Sequence, residues 1–389
     1  MTPTPQPAAH LREATKAPER SGARSYHPEL DVLRWFGFLL VFCHHSLPHD
    51  PKFYTDMGIG SFFAKLIAGW GAMGAMGVDL FFLLSAYLVT TSFLIERERT
   101  RSIDARAFYV RRALRIWPLY LLFLAFAWST QWWIPGQHIG WRAGLTFLFM
   151  VGNWWIVFVG FPMSMIFPLW AVSVEEQFYL VWPWVMRRLT RKGIAIAAVV
   201  LLLIGNISRL YLSAHHTWES KLWTNTLVRI DPFAAGVLLA LALGGVAPKI
   251  SFARRIVLFF AGVAGFWMAA NYWVIKGDPL TMPRVMIGYP AMTLGACAML
   301  LGLLTDVKPF APRPLAYLGR ISYGLYVYHV LGLMTSDYWV LHQTSSFGRY
   351  LWRVTVALGV TIVISIVSYQ LIEKPFLRLK ERFSRVAHA

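Results

Sequence analysis

Apolar residues run along this chain in long blocks, and short clusters of arginine and lysine separate the blocks. In order the blocks are 30–47, about 70–95, 116–134, 145–161, 169–186, 193–212, 227–246, 256–274, 285–305, 315–335 and 354–372. Blocks near 20 residues have the length an α-helix needs to cross a bilayer core. The pattern predicts an all-α, polytopic transmembrane helical bundle.

The eleven blocks cannot all cross. The basic clusters at 97–115 and 187–192 both belong on the cytoplasmic side if positive charge stays inside. An even number of crossings must then separate them, yet three blocks lie between. The block 145–161 is broken by Gly152 and Asn153 and is crowded with tryptophan. It is the one expected not to cross, as a re-entrant or interfacial segment on the outer side. Irregular backbone at that depth is tolerated only when buried in protein or facing water. The expectation is about ten crossings plus that segment, with both termini cytoplasmic. Residues 1–26 read as a disordered cytoplasmic tail without the apolar core of a signal peptide. Residues 27–378 read as the transmembrane domain and 379–389 as a basic cytoplasmic tail.

Composition agrees. Hydrophobic residues make up 57% of the 389 and charged residues 14%, against about 25% charged in soluble domains. That argues against a soluble enzyme, a disordered chain or a disulfide-stapled one. The formal net charge of +18 would suggest nucleic acid in a soluble domain. Here it reads as topology, so no nucleic-acid partner is expected. Cys43 and Cys297 both lie inside apolar blocks and read as core thiols, with no metal site.

Ionisable residues inside apolar blocks are costly and mark function by default. The first block carries Asp31, Arg34 and His45. Eleven positions separate Arg34 from His45, close to three helical turns, so they share one face about 16 Å apart along the axis. His44 is rotated off that face. In the second block Asp79 needs a partner, either an ion pair or a catalytic one. Ser85 is a nucleophile if a histidine stands beside it, and otherwise a packing or backbone-bonding serine. Arg112 and Arg115, with Arg111 next to them, precede the third block. The i, i+3 pair would project together and suit phosphate, which the guanidinium fork binds bidentately. Its plain alternative is a topology signal touching lipid headgroups. Glu175 and Glu176 open the fifth span, and only one of the two can face the bundle. Tyr326 and His329 share a face in the tenth block. Trp132, Trp133, Trp141, Trp154, Trp155 and Trp170 gather toward the outer side, as an interfacial belt or as faces for a sugar.

Five segments in order resemble the membrane-bound acyltransferase 3 family, whose members O-acylate sugars and some secondary metabolites. They are Leu30-Asp31-Val32-Leu33-Arg34 with His45, Gly77-Val78-Asp79-Leu80-Phe81-Phe82, Phe108-Tyr109 through Arg115 to Pro118, Ser173 to Tyr179, and Leu318 to Tyr323. Ile372-Glu373-Lys374-Pro375-Phe376 is a weaker sixth. The likeness covers nearly the whole chain. Val32 and Trp35 stand where members usually carry glycine, and Ala86 where a glycine often follows the serine. These changes bear on the walls of the donor path and hence on acyl chain length.

The resemblance implies an O-acyltransferase of the bacterial inner (plasma) membrane. Its donor would be acetyl-CoA or another acyl-CoA, with no metal, and its acceptor a carbohydrate or glycoconjugate hydroxyl beside membrane lipid. Arg112 and Arg115, assisted by Arg111, would bind the donor phosphates. His45 would act as general base on the acceptor or briefly carry the acyl group. Glu176 is the glutamate the resemblance favours, to orient His45 or hold the acceptor. Arg34 and Asp79 complete the catalytic candidates, while Tyr326, Ser85 and Trp170 are the substrate-side candidates. Relatives often carry an appended extracytoplasmic domain, so here the chemistry is expected from the membrane domain itself. The rival classes are a transporter or flippase, and an intramembrane hydrolase using Ser85. Acceptor identity, acyl length and oligomeric state stay open.

Overall fold

The computed structural model describes residues 27–134, 136–215, 219–275, 281–307, 309–340 and 346–381. The tails expected at 1–26 and, beyond its first three residues, 379–389 lie outside the described residues. Every regular element among the described residues is helical. Six stretches among them are long and apolar enough to cross a membrane: Ser61–Thr100, Ala105–Thr130, Arg191–Ala214, Phe252–Val274, Met282–Leu303 and Phe347–Leu379.

The first helix, α1 (Pro28–Ser46), starts on a proline that needs no intrahelical N–H partner, with Glu29 and Asp31 in its first turn. A short α2 (Pro51–Thr55) leads to α3 (Ser61–Gly74), which continues through a kink into α4 (Gly77–Thr100). A Cβ on Gly77 would sit 2.4 Å from the Gly37 carbonyl oxygen. Only glycine lets α4 lie this close to α1, the small-residue packing typical of membrane helices. The Asp104 carboxylate caps α5 (Ala105–Thr130) by accepting from Ala107 N–H at 3.0 Å.

The block 145–161 is not one helix. It forms α6 (Trp141–Leu148) and α7 (Gly152–Phe158), each only about 12 Å long, with Met150 at φ 55° in the break. A polar network satisfies that break. Buried Asn153 donates to the Thr224 carbonyl (3.2 Å) and the Thr226 hydroxyl (2.9 Å), and accepts from Gln177 Nε2 (2.8 Å). Gln177 lies in α8 (Trp170–Arg188), and its Nε2 also donates to the Met150 carbonyl at 3.4 Å.

Beyond it run α9 (Arg191–Ala214), the short α10 (Glu219–Trp223), α11 (Asp231–Leu243), α12 (Phe252–Met268) and α13 (Met282–Leu303). The block 315–335 divides into α14 (Arg313–Arg320) and α15 (Ser322–Val340). The chain closes with α16 (Phe347–Ser368) and α17 (Lys374–Glu381). Exposed Ile196, Leu203 and Ile207 of α9 and Val257 and Phe260 of α12 face outward. So large an apolar surface suits a hydrocarbon solvent rather than water. The main core holds α4, α5, α8 and α15 together, through Phe82, Phe123, Trp170, Phe178 and Val327. The site lies among these helices and α1.

Candidate functional site

Arg34 and His45 of α1 open into two different chambers. Arg34, with Arg112 and Arg115 of α5, lines a small chamber of about 90 Å³ whose wall also holds Ser85, Glu175 and Tyr179. His45 lines a larger one of about 670 Å³, with His44, His49, Phe167, Trp170 and Trp223. Val78 and Tyr326 belong to both walls. They stand between the two chambers. Tyr326 is held there by its hydroxyl, which donates to the Pro168 carbonyl at 2.6 Å, and by Phe81 edge-on at 6.1 Å.

The small chamber is cationic. Arg34 Nη1 donates to Asp31 Oδ1 at 2.5 Å. The Arg112 guanidinium lies over the Tyr179 ring at 4.5 Å and donates to its hydroxyl at 3.3 Å. The Tyr179 and Ser85 hydroxyls both donate to one oxygen of Glu175. Three guanidinium groups, one of them paired with Asp31, stand around the Glu175 carboxylate and offer donors that suit an anionic guest such as phosphate. Arg111 lies in the field of the Glu96 and Asp104 carboxylates and lines neither chamber.

The large chamber is aromatic and carries imidazoles. His44 Nδ1 meets the Gly71 carbonyl at 3.1 Å, and its ring stacks on His49 with centroids 4.6 Å apart. His45 Nδ1 meets His329 Nε2 at 3.0 Å, and His329 Nδ1 meets the Tyr326 carbonyl at 2.6 Å. The Phe167 edge meets the His45 ring at 5.3 Å. Trp170 and Trp223 present aromatic surface to whatever enters.

The remaining candidates stand elsewhere. Glu176 lines a third cavity of about 500 Å³ with Trp117, Gln177 and Leu180, and does not meet His45. Trp117 Nε1 donates to its Oε2 at 3.3 Å, while its Oε1 is buried without a hydrogen-bond partner among the described residues. Asp79 lines neither chamber. It is buried in an ion pair with Arg229 at 2.9 Å, beside a second buried pair of Arg209 and Asp231 at 2.5 Å. The Arg229 guanidinium stacks at 4.3 Å on Trp223, which lines the large chamber. The Ser85 proton points to a carboxylate rather than a histidine, which is not the arrangement of a serine nucleophile.

The structure thus brings Arg34, Arg112, Arg115 and Ser85 together around one chamber, and His45 and Trp170 around the other, with Tyr326 between. Of the two adjacent glutamates the resemblance favours Glu176, whereas Glu175 lines the arginine chamber; Tyr179 and the contact of His45 with His329 are not singled out by the sequence. The i, i+4 spacing of Glu175 and Tyr179 was the available signal. For His45 and His329, in helices far apart in the chain, none existed beyond the shared face of Tyr326 and His329. Among the described residues no group of three histidine, cysteine or acidic side chains is arranged to hold a metal ion.

A family model described as an acyltransferase domain matches residues 27–370. Among curated proteins, the peptidoglycan O-acetyltransferase OatA of Listeria monocytogenes is 25% identical over 387 residues, covering 91% of this chain and 56% of that protein. The O-acetyltransferase OatA of Staphylococcus aureus is 26% identical, covering 92% and 58%. The putative peptidoglycan O-acetyltransferase YrhL of Bacillus subtilis is 27% identical, covering 90% and 55%. The chain therefore spans little more than half the length of these relatives. No solved structure matches.

Proposed function

The chain belongs to the membrane-bound acyltransferase 3 family, and on that premise we propose that it moves an acyl group, most simply acetyl, from acyl-CoA to a carbohydrate hydroxyl. Peptidoglycan is the acceptor named for its relatives and is the one to test first. The observation that carries this reading is a pair of chambers, one lined by arginines and the other by histidines and aromatics, with Val78 and Tyr326 in both walls; the reading takes these two residues as the neck of one path.

Cytoplasmic acyl-CoA would dock its phosphates on Arg112 and Arg115. The linear pantetheine arm would pass Arg34 and enter the neck, which brings the thioester to His45. His45 takes the proton of the acceptor hydroxyl as that oxygen bonds to the thioester carbon. The tetrahedral intermediate then collapses, the carbon–sulfur bond breaks, and the protonated imidazole returns its proton to the CoA thiolate. Trp170 and Trp223 supply stacking faces for a sugar ring. In this reading Glu175, with Ser85 and Tyr179, fixes the arginine side of the path. Helices α1, α8, α11 and α15 would add four crossings to the six long apolar stretches, giving ten, in a bacterial inner membrane with the arginine end of α1 on the cytoplasmic side.

The test is free CoA release from acetyl-CoA by protein in lipid nanodiscs, with and without peptidoglycan fragments. Release is expected to need the acceptor, to vanish in His45→Ala, and to show a raised KM for acetyl-CoA in Arg112→Ala. No binding of acetyl-CoA and no release would overturn the reading. Release in His45→Ala equal to wild type would remove His45 from the chemistry. A covalent acetyl group trapped on His45 in the absence of acceptor would replace the base mechanism with a carrier mechanism.

A further inference from the structure

We infer that His329 is a positioning residue that holds His45 as its Nδ1–H tautomer, so that the bare Nε2 of His45 faces the large chamber. The inference rests on the reading of His45 as the reacting imidazole, and holds for a base and for a carrier alike, since both need a bare nitrogen.

The proton assignment follows from acceptors. A backbone carbonyl only accepts, so the 2.6 Å contact with the Tyr326 carbonyl puts a proton on His329 Nδ1. His329 is 0% exposed, and among the described residues neither it nor His45 forms an ion pair with a carboxylate. A buried, unpaired imidazolium is costly, so His329 is neutral and its Nε2 is a lone pair. The 3.0 Å contact with His45 Nδ1 must then be donated by His45. With Nδ1 protonated, neutral His45 carries its lone pair on Nε2. His45 lines the large chamber and His329 does not.

One residue links this arrangement to the donor path. Tyr326 lies in both chamber walls, is anchored through its hydroxyl to Pro168, and meets His329 with its carbonyl. When Nε2 takes the acceptor proton, both ring nitrogens of His45 carry hydrogen, and the bond from Nδ1–H to His329 becomes charge-assisted. The same Nε2 proton later leaves with the CoA thiol. His329 neither gains nor loses a proton.

The experiment combines turnover with the ¹⁵N ring signals of histidine in nanodiscs, His45→Ala serving to assign the His45 peaks. Wild type is expected to give protonated Nδ1 and bare Nε2 at His45. A glutamine at 329 can still accept from Nδ1–H through Oε1. His329→Gln is therefore expected to keep the pattern and to keep kcat within about tenfold. His329→Ala should lose the tautomer preference and about 10²-fold or more in kcat, with KM for acetyl-CoA unchanged. An Nε2–H signal at His45 in wild type would overturn the inference, as would a His329→Gln enzyme as slow as His329→Ala. The ring signals need no turnover. An enzyme that releases no CoA while His45 shows bare Nε2 would fail the acyl-transfer reading and leave the tautomer assignment standing.

Discussion

At the scale of single residues, direction decides role. Glu175 and Glu176 are neighbours, yet one accepts the Ser85 and Tyr179 hydroxyls in the arginine chamber while the other meets Trp117 in a side cavity. A hydrogen bond to a charged group contributes about 1.5–3 kcal/mol, or about tenfold to a hundredfold. Glu175→Gln is expected to lower acceptor-dependent CoA release by that factor, and Glu176→Gln by less. The reverse order would make the side cavity part of the reaction path. The i, i+4 spacing puts Tyr179 over Glu175, whereas the resemblance favours Glu176, and side-by-side kinetics of the two variants decide between them. Asp79 poses the same question. Breaking a buried ion pair costs about 3–5 kcal/mol, while replacing both partners by apolar residues is often neutral. Asp79→Leu alone is expected to lower the melting midpoint in detergent. The double variant with Arg229→Met should recover the midpoint and most of the turnover. A double variant that is stable but inactive would give Asp79 a chemical role.

At the scale of helices, the apolar blocks gave the order and the contacts gave the ends. The block 227–246 is longer than α11, because Asp231 in the first turn is held by Arg209 and Gly244 ends the helix at φ 58°. At 13 residues α11 is about 20 Å long. The block 315–335 looks continuous, yet it divides where Gly319 packs on α1. A Cβ there would lie 1.7 Å from the Asp31 carbonyl oxygen. Two of the quoted motifs are thus one packing contact, which no local pattern could reveal. The break between α6 and α7 was legible from Gly152 and Asn153, but its partners Thr224, Thr226 and Gln177 were not. Asn153→Leu would strand those groups, at about 1–3 kcal/mol for each unsatisfied group. A lowered melting midpoint is expected, with Gln177→Leu behaving alike and the pair less than additive. Full additivity would mean that the two side chains do not form one network.

At the scale of the whole molecule, α1 is a spine whose Arg34 and His45 belong to different chambers. The sequence puts Arg34 and His45 on one face about 16 Å apart. It cannot tell that a valine of α4 and a tyrosine of α15 close the space between them. That neck makes the path testable without touching either end. Val78 lies on both walls and is nearly buried, so a larger side chain there fills the passage and leaves the arginines in place. Val78→Trp is expected to bind acetyl-CoA as wild type does, measured by equilibrium titration in nanodiscs. Its acceptor-dependent CoA release should fall on the order of 10²-fold, the cost of holding the thioester away from its base. Val78→Ala, which widens the neck, should keep turnover and accept longer acyl groups more readily. If Val78→Trp turned over normally, the donor would have to reach His45 by another way. The cavity beside Trp117 and Glu176, which shares Arg112 and Tyr179 with the small chamber, would be the route to block next.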